Sequence, residues 1–511
     1  MTEAAGEGGT TTEARGVGVN LLTLLANAST PAFHVQLTRS LGTAGYGLYT
    51  TANSIVDVVS VFTLFGMDTV LAQRASVARQ SGDEAAAVDA VAMCLRVVAV
   101  SGLMGGAVLM IGATRIAALQ NEPLLAAPIR TLLLVPIAYH ATSIFLIATQ
   151  VRKVMKYDFW VRGVAQPLTV LGLTTLVLQL GAGLQGACTA VVATMTLTTA
   201  LAALFYGRVH SLPQTLRRAV TAPWDSAVLR AGLPLVAMSL VAALRGRVDG
   251  LLVNFHRGPE DAGAFNVCLP YAATLFQIRG TFYPGLSGDL PAMIAAGRTD
   301  AMNALLRRQT RWVAMMALPF FTILAGFGDA ILAMHGQTFV RAHAALAVLA
   351  AGYLLSAMSL SSYALPLSGN ARFNLYAALV SLGLQLFVPN LLIPRYGLLG
   401  GAISFFIALV VSEAICLTFA RLRTGAQGFS LTLLKPVAAS CVAWAAGRLP
   451  QSVAFSSSTQ SPGRFLLGVG VALAFYILVL TSLGFESEDR EIIDATLASV
   501  RARIIRWRAG R

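Results

Sequence analysis

Apolar stretches long enough to cross a bilayer, about 20 residues each, recur along the whole chain. Of the 511 residues, 56% are hydrophobic and only 12% are charged. Soluble domains carry roughly 25% charged residues, so most of this chain is unsuited to water. The sequence therefore predicts an all-α polytopic membrane protein with about fourteen transmembrane helices. The predicted spans are residues 16–38, 47–71, 88–112, 131–150, 163–182, 185–206, 229–253, 262–284, 310–333, 343–365, 374–394, 398–420, 431–448 and 464–484.

Lysine and arginine residues concentrate in alternate loops, as at Arg152, Lys153 and Lys156. Loops rich in these residues face the cytoplasm in multispanning proteins. The distribution predicts that both termini lie in the cytoplasm, and we expect a multi-pass protein of a bacterial inner (plasma) membrane. Topology then accounts for the formal net charge of +14. Nucleic acid is not an expected partner, because no basic face with interleaved aromatic residues lies outside the loops.

The two ends of the chain differ from the spans in composition. Residues 1–15 are polar and lack the basic start and cleavage pattern of a signal peptide, so we expect a cytoplasmic tail and a retained first span. Residues 485–511 predict an amphipathic basic helix on the cytoplasmic leaflet; a disordered basic tail is the alternative. Apolar residues recur there at helical spacing, at Ile493, Leu497, Val500, Ile504 and Trp507.

A short pattern occurs twice, at a constant distance along the chain. Gly42, Gly47 and Tyr49 of the first copy correspond to Gly258, Gly263 and Phe265 of the second. Six predicted spans separate the copies, so the two halves share one orientation. The sequence therefore predicts two six-helix lobes related as a parallel pseudo-repeat. The predicted parts are an N-lobe at 16–206, a cytoplasmic linker at 207–228, a C-lobe at 229–420 and two further spans within 431–484.

Several of these stretches resemble bacterial polysaccharide (Wzx-type) flippases. The first two spans of that family are similar to Leu37–Gly42, Tyr46–Tyr49 and Phe65–Asp68. Its seventh and eighth spans are similar to Asp249–Leu252, Gly263–Phe265 and Phe282–Ser287. Its eleventh and twelfth spans are similar to the stretch that begins at Asn374 and includes Ile393–Ala402.

This resemblance implies the fold of the multidrug and oligosaccharidyl-lipid exporters, with two six-helix lobes around a central cavity. It implies a substrate class, an oligosaccharide on a polyprenyl pyrophosphate carrier, such as an O-antigen or exopolysaccharide repeat unit. The expected activity is translocation to the external leaflet by alternating access. The expected partners are this lipid-linked oligosaccharide, membrane lipids, and polysaccharide polymerase and chain-length proteins. Lipid II flippases share the implied fold.

Arginines in or near the spans are the candidate ligands for the pyrophosphate headgroup. An anionic, hydrated headgroup needs compensating cations inside the membrane. Arginine is permanently charged and can donate two hydrogen bonds to one phosphate. The candidates are Arg247, Arg279, Arg96, Arg245 and Arg39.

Each candidate arginine also has a structural alternative. Arg245 lies four residues from Asp249, and Arg96 lies seven from Asp89, so each could neutralise an acid on its own helix face. Arg247 and Arg279 could reach the membrane interface, and Arg39 could anchor the topology.

Three acids inside the spans are candidates for ion coupling or for lining a cavity: Asp57, Asp249 and Glu413. A carboxylate within a span can bind Na⁺ or a proton and couple export to an ion gradient. The alternatives for Asp57 are a neutral acid that joins two helices and a partner for an arginine across the cavity. No cofactor, metal site or catalytic residue is predicted, since phosphate-loop and nucleophile–base motifs are absent from the sequence.

Two other functional classes fit the sequence less well. A cation-coupled exporter of small drugs or metabolites could share the fold, although small cationic drugs would favour an acidic cavity. A membrane glycosyltransferase or polymerase would need a sizeable catalytic loop. The longest hydrophilic connection, 208–230, offers only Asp225 as an acid, so we expect a transporter rather than an enzyme.

Overall fold

The computed structural model describes residues 7–221, 223–452 and 462–484, and most of these residues are helical, with no strand among them. Short 3-10 segments and one π-helix, Phe159–Ala165, interrupt or join the α-helices. The α-helices are α1 Glu7–Leu64, α2 Met67–Ser81, α3 Glu84–Leu119, α4 Ala126–Leu132, α5 Val135–Val151, α6 Lys156–Asp158, α7 Gln166–Gln179, α8 Gly183–Gly207, α9 Leu212–Thr221, α10 Ser226–Arg257, α11 Pro259–Ala295, α12 Thr299–Gly326, α13 Gly328–Ala333, α14 His343–Met358, α15 Ala364–Leu367, α16 Arg372–Tyr396, α17 Leu398–Thr424, α18 Leu434–Ser452 and α19 Pro462–Ser482.

Each of the fourteen predicted spans falls on one or more of these helices, but several helices run well beyond the predicted ends. Helix α11 continues to Ala295 beyond the span predicted at 262–284, and α12 begins at Thr299, before the span predicted at 310–333. The all-α membrane fold predicted from the apolar stretches is therefore confirmed. The predicted tail helix, 485–511, lies outside the described residues. Ten segments of the described chain are long and apolar enough to cross a membrane: Ser29–Ser81, Glu84–Leu119, Pro123–Val151, Lys156–Gln179, Gly183–Gly207, Ser226–Arg257, Gln337–Met358, Arg372–Tyr396, Leu398–Thr424 and Phe465–Ser482.

The break between the first two predicted spans is shorter than the sequence pattern predicts. Helix α1 departs from helical geometry at Gly42, which has φ 68° and ψ −174°. Glycine adopts this conformation at little cost because it has no Cβ. A single residue therefore breaks the helix, and the predicted connection before residue 47 is already helical.

The second copy of the repeat has the same backbone geometry. Gly258 ends α10 with φ 81° and ψ 178°, close to the values at Gly42. The loop that follows α2 and the loop that follows α11 also agree, because Gly82 in the first and Gly297 in the second both take positive φ. The repeat that the sequence predicts is thus present in the local backbone.

Apolar side chains cover the outward faces of several helices. On α3, Leu103, Met104, Val108 and Ile111 are all largely exposed. In water such a surface would be unfavourable, whereas hydrocarbon accommodates it and the helix satisfies its own backbone hydrogen bonds. These faces are therefore suited to contact lipid.

The described chain forms two compact units, each with its own buried core. The first unit comprises the described residues up to Val267, with Ala333–Arg341 and Leu382–Ser404. The second comprises Cys268–Leu332, Ala342–Ser381 and the described residues from Phe405 onward. One core, around Met67, Val97 and Phe145, lies in the first unit. Another, around Leu290, Leu306 and Leu360, lies in the second.

Candidate functional site

Residues related by the repeat contact one another where α1 and α11 cross in the first unit. A Cβ built at Gly47 would overlap the carbonyl oxygen of Pro259, and one at Gly263 would overlap that of Thr43. One turn further along, the Asn266 side-chain amide donates to Thr50 Oγ1 at 3.0 Å. Glycine allows the two backbones to approach this closely, and the crossing fixes α1 and α11 against each other.

An ion pair joins two helices of the first unit at membrane depth. Arg247 Nη2 on α10 lies 2.7 Å from Asp57 Oδ2 on α1, and their side chains are 43% and 32% exposed. Along the helix axes, Asp57 is about 23 Å from Gly42 and Arg247 about 17 Å from Gly258, at 1.5 Å per residue. A hydrocarbon core is about 30 Å thick. Both charges therefore lie inside it and remain partly open.

Asp57 has a second polar partner on its own helix. The Asn53 side-chain amide donates to Asp57 Oδ2 at 2.9 Å. Residues four apart lie on one helix face, which explains this contact. An arginine partner for Asp57 was among the sequence-based alternatives, whereas Asn53 was not, although its spacing of four residues from Asp57 was a visible signal.

Asp249 on α10 is buried, with 3% of its surface exposed. The Gln385 amide on α16 donates to Asp249 Oδ2 at 2.8 Å, and the same nitrogen lies 3.2 Å from the backbone oxygen of Arg245. Asp249 Oδ1 is buried and has no hydrogen-bond partner among the described residues. Gln385 was not among the sequence-based candidates; its only signal was an amide side chain within an apolar stretch.

The second unit contains a more deeply buried ion pair. Arg279 Nη1 on α11 lies 3.1 Å from Glu413 Oε1 on α17, with side chains only 7% and 16% exposed. The same guanidinium donates to the backbone oxygen of Ser356 at 2.8 Å and to Ser362 Oγ. Its carbon lies 4.4 Å from the ring centre of Tyr363. Protein groups therefore surround Arg279 on several sides.

Two of the three remaining candidate arginines, Arg96 and Arg39, lie apart from both ion pairs. The Arg96 guanidinium stacks on Trp224, 4.2 Å from the ring centre. Asp89, its proposed partner in the sequence, instead receives both bonds from Arg218, each 2.6 Å long. Arg39 donates to the backbone oxygen of Met334 at 2.8 Å. The five arginines are therefore not one cluster, and their headgroup role stays a prediction.

A cavity of about 590 Å³ opens beside the ends of α2 and α3, in the half of those helices predicted to face the cytoplasm. The Arg74–Asp225 ion pair, 2.6 Å long, borders it together with Asp89. The Arg74 guanidinium and the Ala227 backbone N–H hold the pKa of Asp225 below its ordinary value. Sequence reasoning noted Asp225 only as a loop acid and missed this cavity.

A smaller cavity of about 250 Å³ lies near the same helix ends. His210 lines it with Arg152 and Glu84, which form an ion pair of 2.8 Å. Burial, and then the charge of Arg152, lower the pKa of His210. In the described part of the chain, no group of three His, Cys, Asp or Glu residues could hold a metal ion.

The sequence matches one protein family over just over half of its length. The profile of that family, described as "Polysaccharide biosynthesis protein", matches residues 15–279. The chain belongs to this family. Comparison with curated proteins finds no match. The resemblance noted from the sequence motifs is thus confirmed at the level of the family.

Solved structures of membrane transporters share the fold of this family member. The lipid II flippase MurJ, in an inward closed conformation, has a TM-score of 0.67 at 13% identity, covering 93% of this chain and 100% of its own. An inward-facing multidrug resistance MATE family transporter of the MOP superfamily has a TM-score of 0.63 at 14% identity, with 78% and 94% covered. An outward-facing member has a TM-score of 0.50. The chain therefore has the all-helical fold of MurJ and MATE transporters.

Proposed function

We propose that this chain is a flippase for a polyprenyl-pyrophosphate-linked oligosaccharide. The substrate would be an O-antigen or exopolysaccharide repeat unit, moved across the inner membrane by alternating access. In this proposal the moving bodies are the lobes 16–206 and 229–420. Both termini lie in the cytoplasm, and polysaccharide polymerase and chain-length proteins act on the product outside.

The observation that carries the proposal is the partly exposed Arg247. A guanidinium 43% exposed within the thickness of the bilayer would be costly against acyl chains, so such side chains face water or protein. A watery path lined by a permanent cation suits a hydrated pyrophosphate. Because arginine can donate two hydrogen bonds to one phosphate, Arg247 is the first choice for a headgroup ligand.

The other candidates have weaker support as ligands. Arg279 is 7% exposed and paired with Glu413, so a headgroup would have to displace buried protein contacts. Arg96 stacks on Trp224, and Arg39 binds a backbone oxygen. We assign these three to supporting positions, and keep Arg245 as a second ligand two residues from Arg247 along α10.

A second candidate function, cation-coupled export of small molecules, is favoured by one observation. Asp249 is buried and its Oδ1 has no hydrogen-bond partner among the described residues. A buried carboxylate of this kind can bind a cation and link its movement to transport. A multidrug-type antiporter would use such a site, although a flippase could use it equally.

Export of the glycan separates these candidates. Arg247→Ala is expressed at a level matched to the parent chain in a strain that lacks the chromosomal copy, and surface glycan is quantified. We expect export to fall at least tenfold, the loss that about 1.4 kcal/mol of headgroup interaction produces. The matched control is Arg298→Ala, which removes an exposed arginine from a predicted cytoplasmic loop and should export normally.

Two results would contradict the flippase proposal. One is undiminished glycan export by Arg247→Ala. The other is normal glycan export without the chain, combined with resistance to cationic drugs that depends on Asp249; this result would select the small-molecule exporter.

A further inference from the structure

At the proposed headgroup site, Asp57 and a substrate phosphate compete for the Arg247 guanidinium. The 2.7 Å contact means that the Arg247 guanidinium is already bonded to a carboxylate. A phosphate that takes Arg247 must replace at least one of these bonds. Since both side chains are partly exposed, the replacement needs no burial of a new charge.

We propose that Asp57 is a resident anion that Arg247 exchanges for a substrate phosphate, and that the released Asp57 carboxylate then takes up one proton. The inference rests on the proposed function, because it assigns a regulation to the same site. Hydronium from the aqueous path supplies the proton. One O–H bond of hydronium breaks, which leaves a water molecule, and one O–H bond forms on Asp57; no other covalent bond changes.

Charge balance is the physical reason for the proton uptake. While Arg247 is its partner, Asp57 is stabilised as a carboxylate by an opposite charge at contact distance. After the exchange, Asp57 has lost that cation and has a phosphate nearby. Two anions next to each other inside a membrane are unfavourable, and protonation of the weaker one removes the repulsion.

The groups around Asp57 suit a proton better than a metal cation. Its Oδ2 faces two N–H donors, the Asn53 amide at 2.9 Å and the Arg247 guanidinium. Hard cations prefer several oxygen ligands, and N–H donors repel them. A protonated carboxyl group, in contrast, still accepts a hydrogen bond from Asn53 through its unprotonated oxygen.

Among the titratable groups near Asp57, Arg247 is the charged one, and the others are a phenol and a thiol. On α1, the Tyr49 phenol interacts electrostatically with both Asp57 and Arg247 and is itself buried. From α8, the Cys188 thiol interacts with Tyr49. From α10, Arg247 is the charged group that acts on Asp57. Phenol and thiol groups are ordinarily neutral near pH 7, so Arg247 is the charged neighbour with which Asp57 interacts.

Calorimetry on the purified full chain in detergent tests the exchange, with inorganic pyrophosphate as the probe. Titrations in two buffers of different ionisation enthalpy give the number of protons taken up per pyrophosphate bound. We expect the parent chain to take up as much as one proton more than Asp57→Asn does. The pyrophosphate dissociation constant of the parent chain should rise with pH, by up to tenfold per pH unit more than that of Asp57→Asn. At pH 8, Asp57→Asn should therefore bind pyrophosphate more tightly than the parent chain does.

Variants and conditions separate the failure of this inference from the failure of the proposed function. Arg247→Ala should lose pyrophosphate binding; unchanged binding would overturn the headgroup site itself. Loss of binding in Arg247→Ala with equal proton uptake by the parent chain and Asp57→Asn would overturn only the exchange. Affinity that depends on Na⁺ without proton uptake would also overturn it.

Two further measurements guard against misfolding. Asp57→Glu retains a carboxylate and should keep the extra proton uptake, whereas Asp300→Asn, at an exposed position, should behave as the parent chain. The proton uptake of the parent chain can also be judged without a variant. If it does not exceed the uptake that the titration of pyrophosphate itself accounts for, the proposal is contradicted.

Discussion

Each unit contains an arginine–carboxylate pair in which both residues lie within predicted spans and which joins separate helices, and these two pairs differ in exposure. Arg247–Asp57 in the first unit is 43% and 32% exposed, whereas Arg279–Glu413 in the second is 7% and 16% exposed. Identical chemistry therefore occurs in two environments. An open pair can exchange partners with a ligand, while a buried pair with further hydrogen bonds joins helices together. In our proposal, exposure rather than residue type distinguishes the pair that binds a ligand from the pair that stabilises the fold.

The largest expected effect is on stability, and it tests the buried pair. Arg279→Met should destabilise the folded chain by about 3–5 kcal/mol, because it leaves Glu413 buried without its cation. Arg247→Met should change stability by no more than about 1 kcal/mol, as for other partly exposed pairs. Denaturant titrations of both variants in detergent measure the difference.

A double replacement checks that charge is the cause. Arg279→Met combined with Glu413→Leu removes both charges and should recover most of the lost stability, since apolar groups often replace buried pairs well. No recovery in the double variant, or equal losses for Arg279→Met and Arg247→Met, would break the comparison between the pairs.

A smaller loss of stability is expected when the neutral side chain that donates a hydrogen bond to the carboxylate of each pair is removed. Ser356 Oγ donates to Glu413 Oε1, and a bond to a charged group contributes about 1.5–3 kcal/mol. Ser356→Ala should lose roughly that amount. Asn53→Ala removes the corresponding donor to the open Asp57 and should lose less than about 1 kcal/mol, because water can replace it. Thermal unfolding midpoints of the two variants rank them, and the reverse order would contradict this reading of exposure.

The smallest effect concerns a third pair, Arg74–Asp225, with both side chains 41% exposed. Its hydrogen bonds hold the pKa of Asp225 below the ordinary value. The pair therefore stabilises the fold above the unfolded pKa, about 3.9, and this contribution disappears as the pH falls through the lower, folded pKa. We expect less than about 1 kcal/mol. Unfolding midpoints between pH 3 and pH 6 should fall more steeply with acid for the parent chain than for Asp225→Asn; parallel curves would contradict the assignment.

The local signals in the sequence predicted much of the fold and part of the site. Apolar stretches predicted the helices, and Gly42 and Gly258 marked two equivalent breaks, because glycine alone adopts their backbone conformation easily. The intramembrane charges Asp57, Arg247, Arg279 and Glu413 were visible as candidates, since charge within an apolar stretch is conspicuous. The predicted lobe boundaries and the headgroup role of the arginines stay predictions.

The sequence by itself determined the class of solvent, the helical fold and the family, because hydropathy and backbone preference act over a few neighbouring residues. Only the tertiary structure decided which charges meet. Asp57 meets Arg247 from α10, and Arg279 meets Glu413 from α17, across helices far apart in the chain. Periodicity along a single helix gives the face of a side chain but not the neighbour that packs against it. The exposure that separates an exchangeable pair from a fixed one depends on that packing.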